Sequence, residues 1–201
     1  MPTNARDRLL DTAERLFYAE GIRSVGVDRI VAESGVGRAS MYRHFPGKDD
    51  LIVAVLRRRD QAWRDWLRDT VDRLSGPVPR SRDERPLAVF DALAERFARD
   101  DFRGCAFINT IVETADPHSV AHEVADAHKR AVTTYVDGLL ATAGYERHTA
   151  LAGQFVMLMD GAIVTALRER TPAAAAVARS TATALLRTES AAGGPPDGGG
   201  G

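Results

Sequence analysis

The chain has 201 residues, of which 44% are hydrophobic and 27% charged, and its net charge is −1 at pH 7. These values are ordinary for a soluble globular protein, and the length suits one domain or a small domain joined to a larger one. No apolar run approaches the roughly 18 to 20 residues of a membrane span, and no export signal opens the chain. The single cysteine, Cys105, excludes an intrachain disulfide and a multi-thiolate zinc site. We therefore expect a cytoplasmic protein without a membrane partner.

Apolar residues recur at helical spacing along the chain, and no alternating strand pattern is present. Asn4 is a potential cap of the first helix, and Gly21 a potential stop. Thr171 and Pro172 form a strong start signal for the last helix. We therefore predict an all-α fold with about nine helices, at residues 4–20, 27–34, 38–45, 48–74, 87–99, 105–114, 119–143, 148–168 and 172–187.

The second and third predicted helices are short, and the sequence GVG at residues 35–37 joins them. Two short helices with a glycine-containing turn are the sequence form of a helix-turn-helix. Met41 and Phe45 are four residues apart on the third helix, so we predict that both face the core. The polar and cationic residues of this helix then face outward, as a DNA-recognition helix requires. These residues are Arg38, Ser40, Tyr42, Arg43 and His44.

Residues 9–51 resemble the DNA-binding domain of the TetR family of bacterial transcription regulators. The resemblance rests on Phe17 and Gly21 at the end of the first helix, followed by VDRIVAESGV, ASMYRHF and GKDDL at the family's spacing. It implies a three-helix DNA-binding domain over residues 1–47 and a helical effector-binding and dimerisation domain over 48–188. The glycine-rich composition of residues 189–201 predicts a disordered tail.

The resemblance implies double-stranded DNA as a partner and assigns roles to individual residues. Tyr42 and Lys48 would contact phosphates, whereas Arg38 and Ser40 would reach base edges in the major groove. Arg38 is a candidate for bidentate pairing with guanine. Asp28 would cap its own helix or accept a hydrogen bond from a cytosine amine. The full set of DNA-binding candidates is Val27, Asp28, Gly37, Arg38, Ala39, Ser40, Tyr42, Arg43, His44 and Lys48.

Three glycines depart from the family pattern, which usually places Ser or Thr before a helix. They are Gly26, Gly37 and Gly47. A glycine cap costs only a few tenths of a kcal/mol relative to Ser, so folding should not suffer. Each replacement removes a hydroxyl that could contact a phosphate. More of the affinity is therefore expected from four side chains, those of Arg38, Tyr42, Arg43 and Lys48.

The last two long helices are rich in small residues, which permit close helix approach. A helix-turn-helix of this kind needs two copies to span a palindromic operator with half-sites about 34–36 Å apart. We therefore predict a homodimer through these two helices. The small residues are Gly153, Gly161, Ala162, Ala166, Ala173–Ala176, Ala178, Ala182 and Ala184.

A regulator of this family also implies a small-molecule effector, and the apolar excess of the second domain favours a largely apolar one. Aromatic and apolar residues of the middle helices, with a few polar residues among them, are candidates for its pocket, although plain core is the simpler interpretation of most of the aromatic ones. The candidates are Trp63, Trp66, Phe90, Phe97, Phe107, Asn109, Ile111, Tyr135, Phe155, Met159 and Asp160.

Two alternatives to a DNA-binding repressor remain open. The first is a helical protein that only sequesters a ligand. The second is a metal-dependent enzyme in which His118 and His122, at helical i and i+4 spacing, bind the metal. No HExxH, G-x-S-x-G, P-loop or dinucleotide motif is present, so we predict no enzyme, no metal and no cofactor. Cys105 precedes a predicted helix and could be redox-active, but a small structural residue is the simpler interpretation.

Overall fold

The computed structural model describes residues 4–114 and 116–192, and these residues form nine α-helices and no strand. The predicted all-α class is therefore confirmed. The helices are α1 (Ala5–Glu20), α2 (Val27–Ser34), α3 (Arg38–His44), α4 (Lys48–Ser75), α5 (Glu84–Phe97), α6 (Ala106–Glu113), α7 (Val120–Thr142), α8 (His148–Glu169) and α9 (Ala173–Ala192).

Local signals fix several of these boundaries as predicted. The Asn4 side chain accepts a hydrogen bond from the Asp7 amide at 2.9 Å, which caps α1. Gly21 ends the same helix with a φ of 89°, which lies in the region that favours glycine. The Thr171 hydroxyl accepts the Ala173 amide at 3.3 Å at the start of α9.

Two helices extend beyond their predicted bounds by three residues or more. α5 begins at Glu84, three residues before the predicted start at 87, and includes Pro86 in its first turn. A proline is tolerated there because the first-turn amides have no partner within the helix. α9 continues to Ala192, whereas its predicted end is residue 187. Residues 193–201, most of the predicted tail, lie outside the described residues.

The helices pack into two compact units. The first comprises the chain up to Arg64 together with Arg103–Arg130, and the second comprises Asp65–Phe102 and the chain from Ala131 onward. The predicted domain boundary between residues 47 and 48 stays a prediction. The first unit contains not only α1–α3 but also the beginning of α4, all of α6 and the first part of α7.

The first unit has a continuous apolar core. Leu16 of α1, Ile30 of α2 and Met41 of α3 are fully buried in it. Phe107 of α6 joins the same cluster of buried side chains. Burial of this apolar surface holds α3 against α1 and α2, which leaves its opposite face outside.

The second unit is built around α5, α8 and α9, which pack against one another. Phe90 and Phe155 are buried at its centre with their ring centroids 5.4 Å apart. Arg179 of α9 pairs with Asp91 of α5 at 3.0 Å. Small buried residues let α8 and α9 approach closely. They are Ala162, Ala166, Ala174, Ala175, Ala178 and Ala182.

One helix in the described part of the chain, α8, is long and apolar enough to cross a membrane. Its mean hydropathy is 1.6 over an 18-residue window, and 39% of that window is buried within the protein. Length and composition alone are weak evidence for a span, because core helices of soluble proteins meet the same criterion.

Candidate nucleic-acid interface

The turn between α2 and α3 sets the orientation of α3. Gly35 ends α2 in the left-handed region with a φ of 63°, a conformation that favours glycine. Val36 is buried with 4% exposure, and its amide is bonded to the Ser34 hydroxyl at 3.3 Å. Gly37 then precedes the first turn of α3 without a side-chain cap, as the sequence predicts. The side chain of Val36 thus anchors the turn between the two helices.

α3 has one buried side and one exposed side. Met41 is fully buried, and Phe45, which follows the helix, is 3% exposed. Both therefore face the core, as predicted. Most of the residues between and before them are exposed, and Ser40 is half-buried. The exposed residues of this segment are Arg38, Ala39, Tyr42, Arg43 and His44.

The exposed face of α3 is joined to α2 by an ion pair. Arg38, at the start of α3, donates from Nη1 to Oδ1 of Asp28 in the first turn of α2. The guanidinium carbon of Arg38 also lies 5.7 Å from the centroid of the Tyr42 ring, at cation–π distance. Asp28 makes no side-chain cap of α2, so the expectation that it caps its own helix is wrong. Its carboxylate is bonded to Arg38 instead.

Other DNA-binding candidates lie around this face. Lys48 is the half-buried first residue of α4, and Val27 is the half-buried first residue of α2. Gly37 is exposed directly before α3, and a Cβ added to it would meet no atom within 4 Å. The candidates therefore lie at α3, at its preceding turn and at the starts of the two neighbouring helices.

Arg29, an exposed arginine of α2, is held in an ion-pair network that was not predicted from the sequence. It bonds both to Glu20 at the end of α1 and to Glu33 one turn further along α2, at 2.8 Å in each case. Arg15 bonds to the same Glu33 at 2.5 Å. These carboxylates raise the pKa of Arg29 above its ordinary value. The i,i+4 spacing of Arg29 and Glu33 was the signal in the sequence.

The effector candidates are distributed over both units. Trp63, Phe107, Asn109 and Ile111 lie in the first unit. This unit has a small, mostly apolar cavity between α1, α4 and α6. Asn109 lines the cavity, whereas Trp63, Phe107 and Ile111 do not. The candidates in the second unit are Trp66, Phe90, Phe97, Tyr135, Phe155, Met159 and Asp160.

Tyr135 is the candidate with the most unusual surroundings. Its hydroxyl oxygen is buried and has no hydrogen-bond partner. Burial raises the pKa of this phenol to about 12, so the group is a neutral donor at physiological pH. Buried tyrosine hydroxyls usually find a partner. The side chains of Asp72, Arg85 and Arg68 lie close enough to influence the same pKa.

His128, which no motif of the sequence singled out as a site residue, is a buried polar residue of the first unit that contacts side chains of α4 and α6. It is 2% exposed, and its ring stacks on Phe107 with centroids 3.6 Å apart. Trp63 meets the same ring edge-on at 5.1 Å. His128 Nδ1 lies 2.7 Å from Asp60 Oδ1, and Arg64 bonds to the same carboxylate at 2.8 Å. Two of the effector candidates, Trp63 and Phe107, therefore enclose an imidazole.

The proposed metal ligands lie in different surroundings. His118 is exposed, whereas His122 is half-buried with an Nδ1 atom that has no hydrogen-bond partner. In residues 4–114 and 116–192, no group of three His, Cys, Asp or Glu side chains is placed to hold a metal ion. Cys105 is half-buried directly before α6 and packs against the core of the first unit.

The buried anchors and the exposed polar face of α3 define a helix-turn-helix DNA-binding protein. Residues 9–55 match the model of the bacterial regulatory proteins of the tetR family. SCO4454, a TetR-family regulator from Streptomyces coelicolor, is 39% identical over 92% of this chain and 96% of its own, with a TM-score of 0.81. The chain therefore belongs to the TetR family of transcriptional regulators.

Two further solved structures share the fold. SAV143, a transcriptional regulator from Streptomyces avermitilis, is 28% identical over 94% of this chain and 99% of its own, with a TM-score of 0.79. The multidrug binding protein EbrR, solved with malachite green, is 24% identical over 90% of this chain and 96% of its own, with a TM-score of 0.68. The relatives are regulators rather than enzymes, which confirms the prediction that the chain is not an enzyme. The alternative of an enzyme using His118 and His122 is therefore set aside.

Proposed function

We propose that the protein is a repressor that binds a palindromic operator as a homodimer and is released by a small, largely apolar molecule. The observation that carries this proposal is the two-sided character of α3, whose Met41 is buried while Arg38, Tyr42 and Arg43 are exposed. A short helix held from behind by apolar anchors can enter a major groove with its outer side chains. A cytoplasmic location follows from this role.

The roles of the DNA-binding candidates follow from their chemistry. Arg38 carries a planar set of donors that fits the O6 and N7 atoms of guanine, and Ser40 beside it can bond to a base edge. The phenol of Tyr42 and the ammonium group of Lys48 suit phosphate oxygens. Arg43 and His44 lie at the end of the same helix; Arg43 would contact a phosphate or a base edge, and His44 would contact the DNA backbone.

A stripe of exposed small and apolar residues along α8 supports the proposed dimer interface. Met157 is 76% exposed and Val164 is 52% exposed, and both are large hydrophobic side chains. Gly153 and Gly161 lie on the same stripe, and a Cβ added to either would meet no atom within 4 Å. Val177 of α9 is 68% exposed. Two copies of these helices would bury the stripe in a four-helix bundle.

The proposed effector pocket draws on the aromatic candidates of the second unit, among them Tyr135. EbrR, which shares this fold, was solved in complex with malachite green, and this complex supports a small-molecule pocket in such a scaffold. The unpaired Tyr135 hydroxyl supplies a donor that could orient the ligand. A typical coupling of about 1–3 kcal/mol between the ligand and DNA sites would lower operator affinity about 5- to 150-fold.

Selection from a random pool of DNA duplexes tests the proposal directly. The wild-type chain should enrich a two-fold-symmetric sequence, and its affinity for that sequence should fall steeply as salt rises. Arg38→Ala should relax the preference at one base position of each half-site. Lys48→Ala should weaken all sequences about equally. If the folded wild-type chain enriches no symmetric site, the protein instead sequesters a ligand without sequence-specific DNA binding.

A further inference from the structure

We infer that Asp28 is a specificity-determining residue of the first unit. Its carboxylate orients the Arg38 guanidinium for bidentate hydrogen bonding to guanine, and Asp28 itself does not contact the base. This inference rests on the proposed DNA-binding role of Arg38. It concerns a contact between α2 and α3 within the first unit.

Two contacts restrict the Arg38 guanidinium from different directions. Asp28 Oδ1 accepts from Nη1 at the edge of the guanidinium plane. The Tyr42 ring, one turn along α3, lies 5.7 Å from the guanidinium carbon. An unrestrained arginine has many rotamers and loses this freedom when it binds a base. A guanidinium that is already held in place loses less conformational entropy when it binds a base. Binding of the base that fits this fixed orientation is therefore favoured.

The exposure of the pair shows that it is poorly suited to a structural role. The side chain of Arg38 is 62% exposed, and that of Asp28 is 78% exposed. Ion pairs in water contribute little to folding, because solvent screens them. A negative charge beside a helix that meets phosphates also lowers affinity for any duplex. Asp28 therefore reduces general attraction to DNA, and this effect favours discrimination between sequences.

Asp28→Asn removes the charge and weakens the hold on Arg38 while the side chain keeps its size. The preference for guanine at the Arg38 position should fall about 2- to 10-fold, the equivalent of ordering one flexible side chain. Affinity for unrelated duplexes should stay equal or rise. Asp49→Asn is the matched control, since Asp49 is an exposed acidic residue at the start of α4. It removes the same charge from the same unit and should leave the guanine preference unchanged.

A double-mutant cycle with Arg38→Ala separates positioning from direct contact. Sequence preferences would be measured by random-pool selection for the wild type, both single variants and the double variant, with thermal unfolding as a check on folding. In the Arg38→Ala background, Asp28→Asn should have no further effect on base preference. A change in preference at another position in that background would mean that Asp28 contacts a base, and would overturn the inference.

The same selection distinguishes this inference from the proposed function. A wild-type chain that enriches no site would overturn both together. Enrichment by the wild type, with an equal guanine preference in Asp28→Asn, would overturn the role of Asp28 alone.

Discussion

The Tyr18 hydroxyl of α1 donates to the Gly104 carbonyl at 3.0 Å and accepts from the Arg103 amide at 2.8 Å. The Arg59 guanidinium of α4 lies 3.9 Å from the centroid of the same tyrosine ring. Arg103 and Gly104 lie directly before α6. At the last residue of α6, the Glu113 carboxylate accepts a hydrogen bond from the Arg23 amide at 3.1 Å. Within the first unit, the segment before α6 is therefore bonded to α1, and the last residue of α6 is bonded to the turn between α1 and α2. These bonds are a physical route by which a displacement of α6 could reach α1 and α2.

Tyr18→Phe should destabilise the first unit by about 1–3 kcal/mol, because two backbone groups lose their partner together. Urea unfolding would measure this loss, and hydrogen exchange at the residues around Arg103 should become faster. Tyr42→Phe is the control, since the Tyr42 side chain is 42% exposed on α3. It should leave stability unchanged and affect only DNA affinity. Equal stability of the two variants would show that the Tyr18 hydroxyl does not hold α6.

Gly21→Ala should be among the most destabilising single-methyl substitutions in the chain. The backbone has a φ of 89° at this glycine, and a new Cβ would lie 2.9 Å from Glu113 Oε2. Backbone strain and displacement of the carboxylate from the Arg23 amide would together cost about 1–3 kcal/mol.

Gly26→Ala and Gly26→Ser are the matched variants for this prediction. Gly26 has a φ of −84°, and a Cβ there would meet no atom within 4 Å. Alanine should therefore be tolerated. Serine would supply the missing cap of α2 and should stabilise by a few tenths of a kcal/mol. Thermal unfolding of the three variants would rank them, and a Gly21→Ala variant as stable as Gly26→Ala would contradict the contact with Glu113.

The helix-turn-helix was predictable from sequence because its signals are local. Gly21, Gly35 and Pro46 mark the ends of helices, and the spacing of Met41 and Phe45 determines which side of α3 is buried. The contact between Asp28 and Arg38 was not predicted, because the two residues are ten positions apart and lie on different helices. A side-chain contact of that kind depends on the packing angle of α2 and α3, which periodicity does not encode.

The small residues of α8 and α9 show the same limit. The sequence indicates that these residues suit close packing, but it does not indicate which helix each of them approaches. Ala162, Ala166 and Ala178 are buried against other helices of their own chain, whereas Gly153 and Gly161 are exposed.

The contacts of His128 were not predicted for a related reason. Its partners Asp60, Trp63 and Phe107 come from α4 and α6, far away in sequence.

The burial of His128 should make the stability of the protein depend on pH. Burial lowers the pKa of His128 from 6.5 to about 4, an effect to which Lys129 and Arg64 add and which Asp60 opposes. Between pH 6.5 and 4 the unfolded chain therefore binds a proton that the folded chain does not. The contribution of neutral His128 is fully present above pH 6.5 and is lost as the pH falls toward 4. The expected loss is up to about 3 kcal/mol.

Urea unfolding at pH 7.0, 5.5 and 4.5 would test this dependence. His128→Gln cannot titrate, so the slope of stability between pH 6.5 and 4.5 should be smaller in this variant even if its stability at pH 7 is lower. Trp63 fluorescence would report the same event locally, because its ring centroid lies 5.1 Å from that of His128. Identical slopes in wild type and variant would show that other groups cause the acid sensitivity.

Met157→Glu should dissociate the proposed dimer. Met157 is 76% exposed in the single chain, so a carboxylate there is hydrated and should not disturb folding of the protomer. Burying two unpaired carboxylates in a symmetric interface would cost several kcal/mol, which corresponds to a loss of at least about a hundredfold in dimer affinity. Operator affinity should fall together with dimer affinity, because a monomer contacts one half-site only.

Val112→Glu is the control, since Val112 is 78% exposed on α6 in the first unit. Sedimentation equilibrium would compare the three proteins, and a Met157→Glu variant with the wild-type mass would place the interface elsewhere.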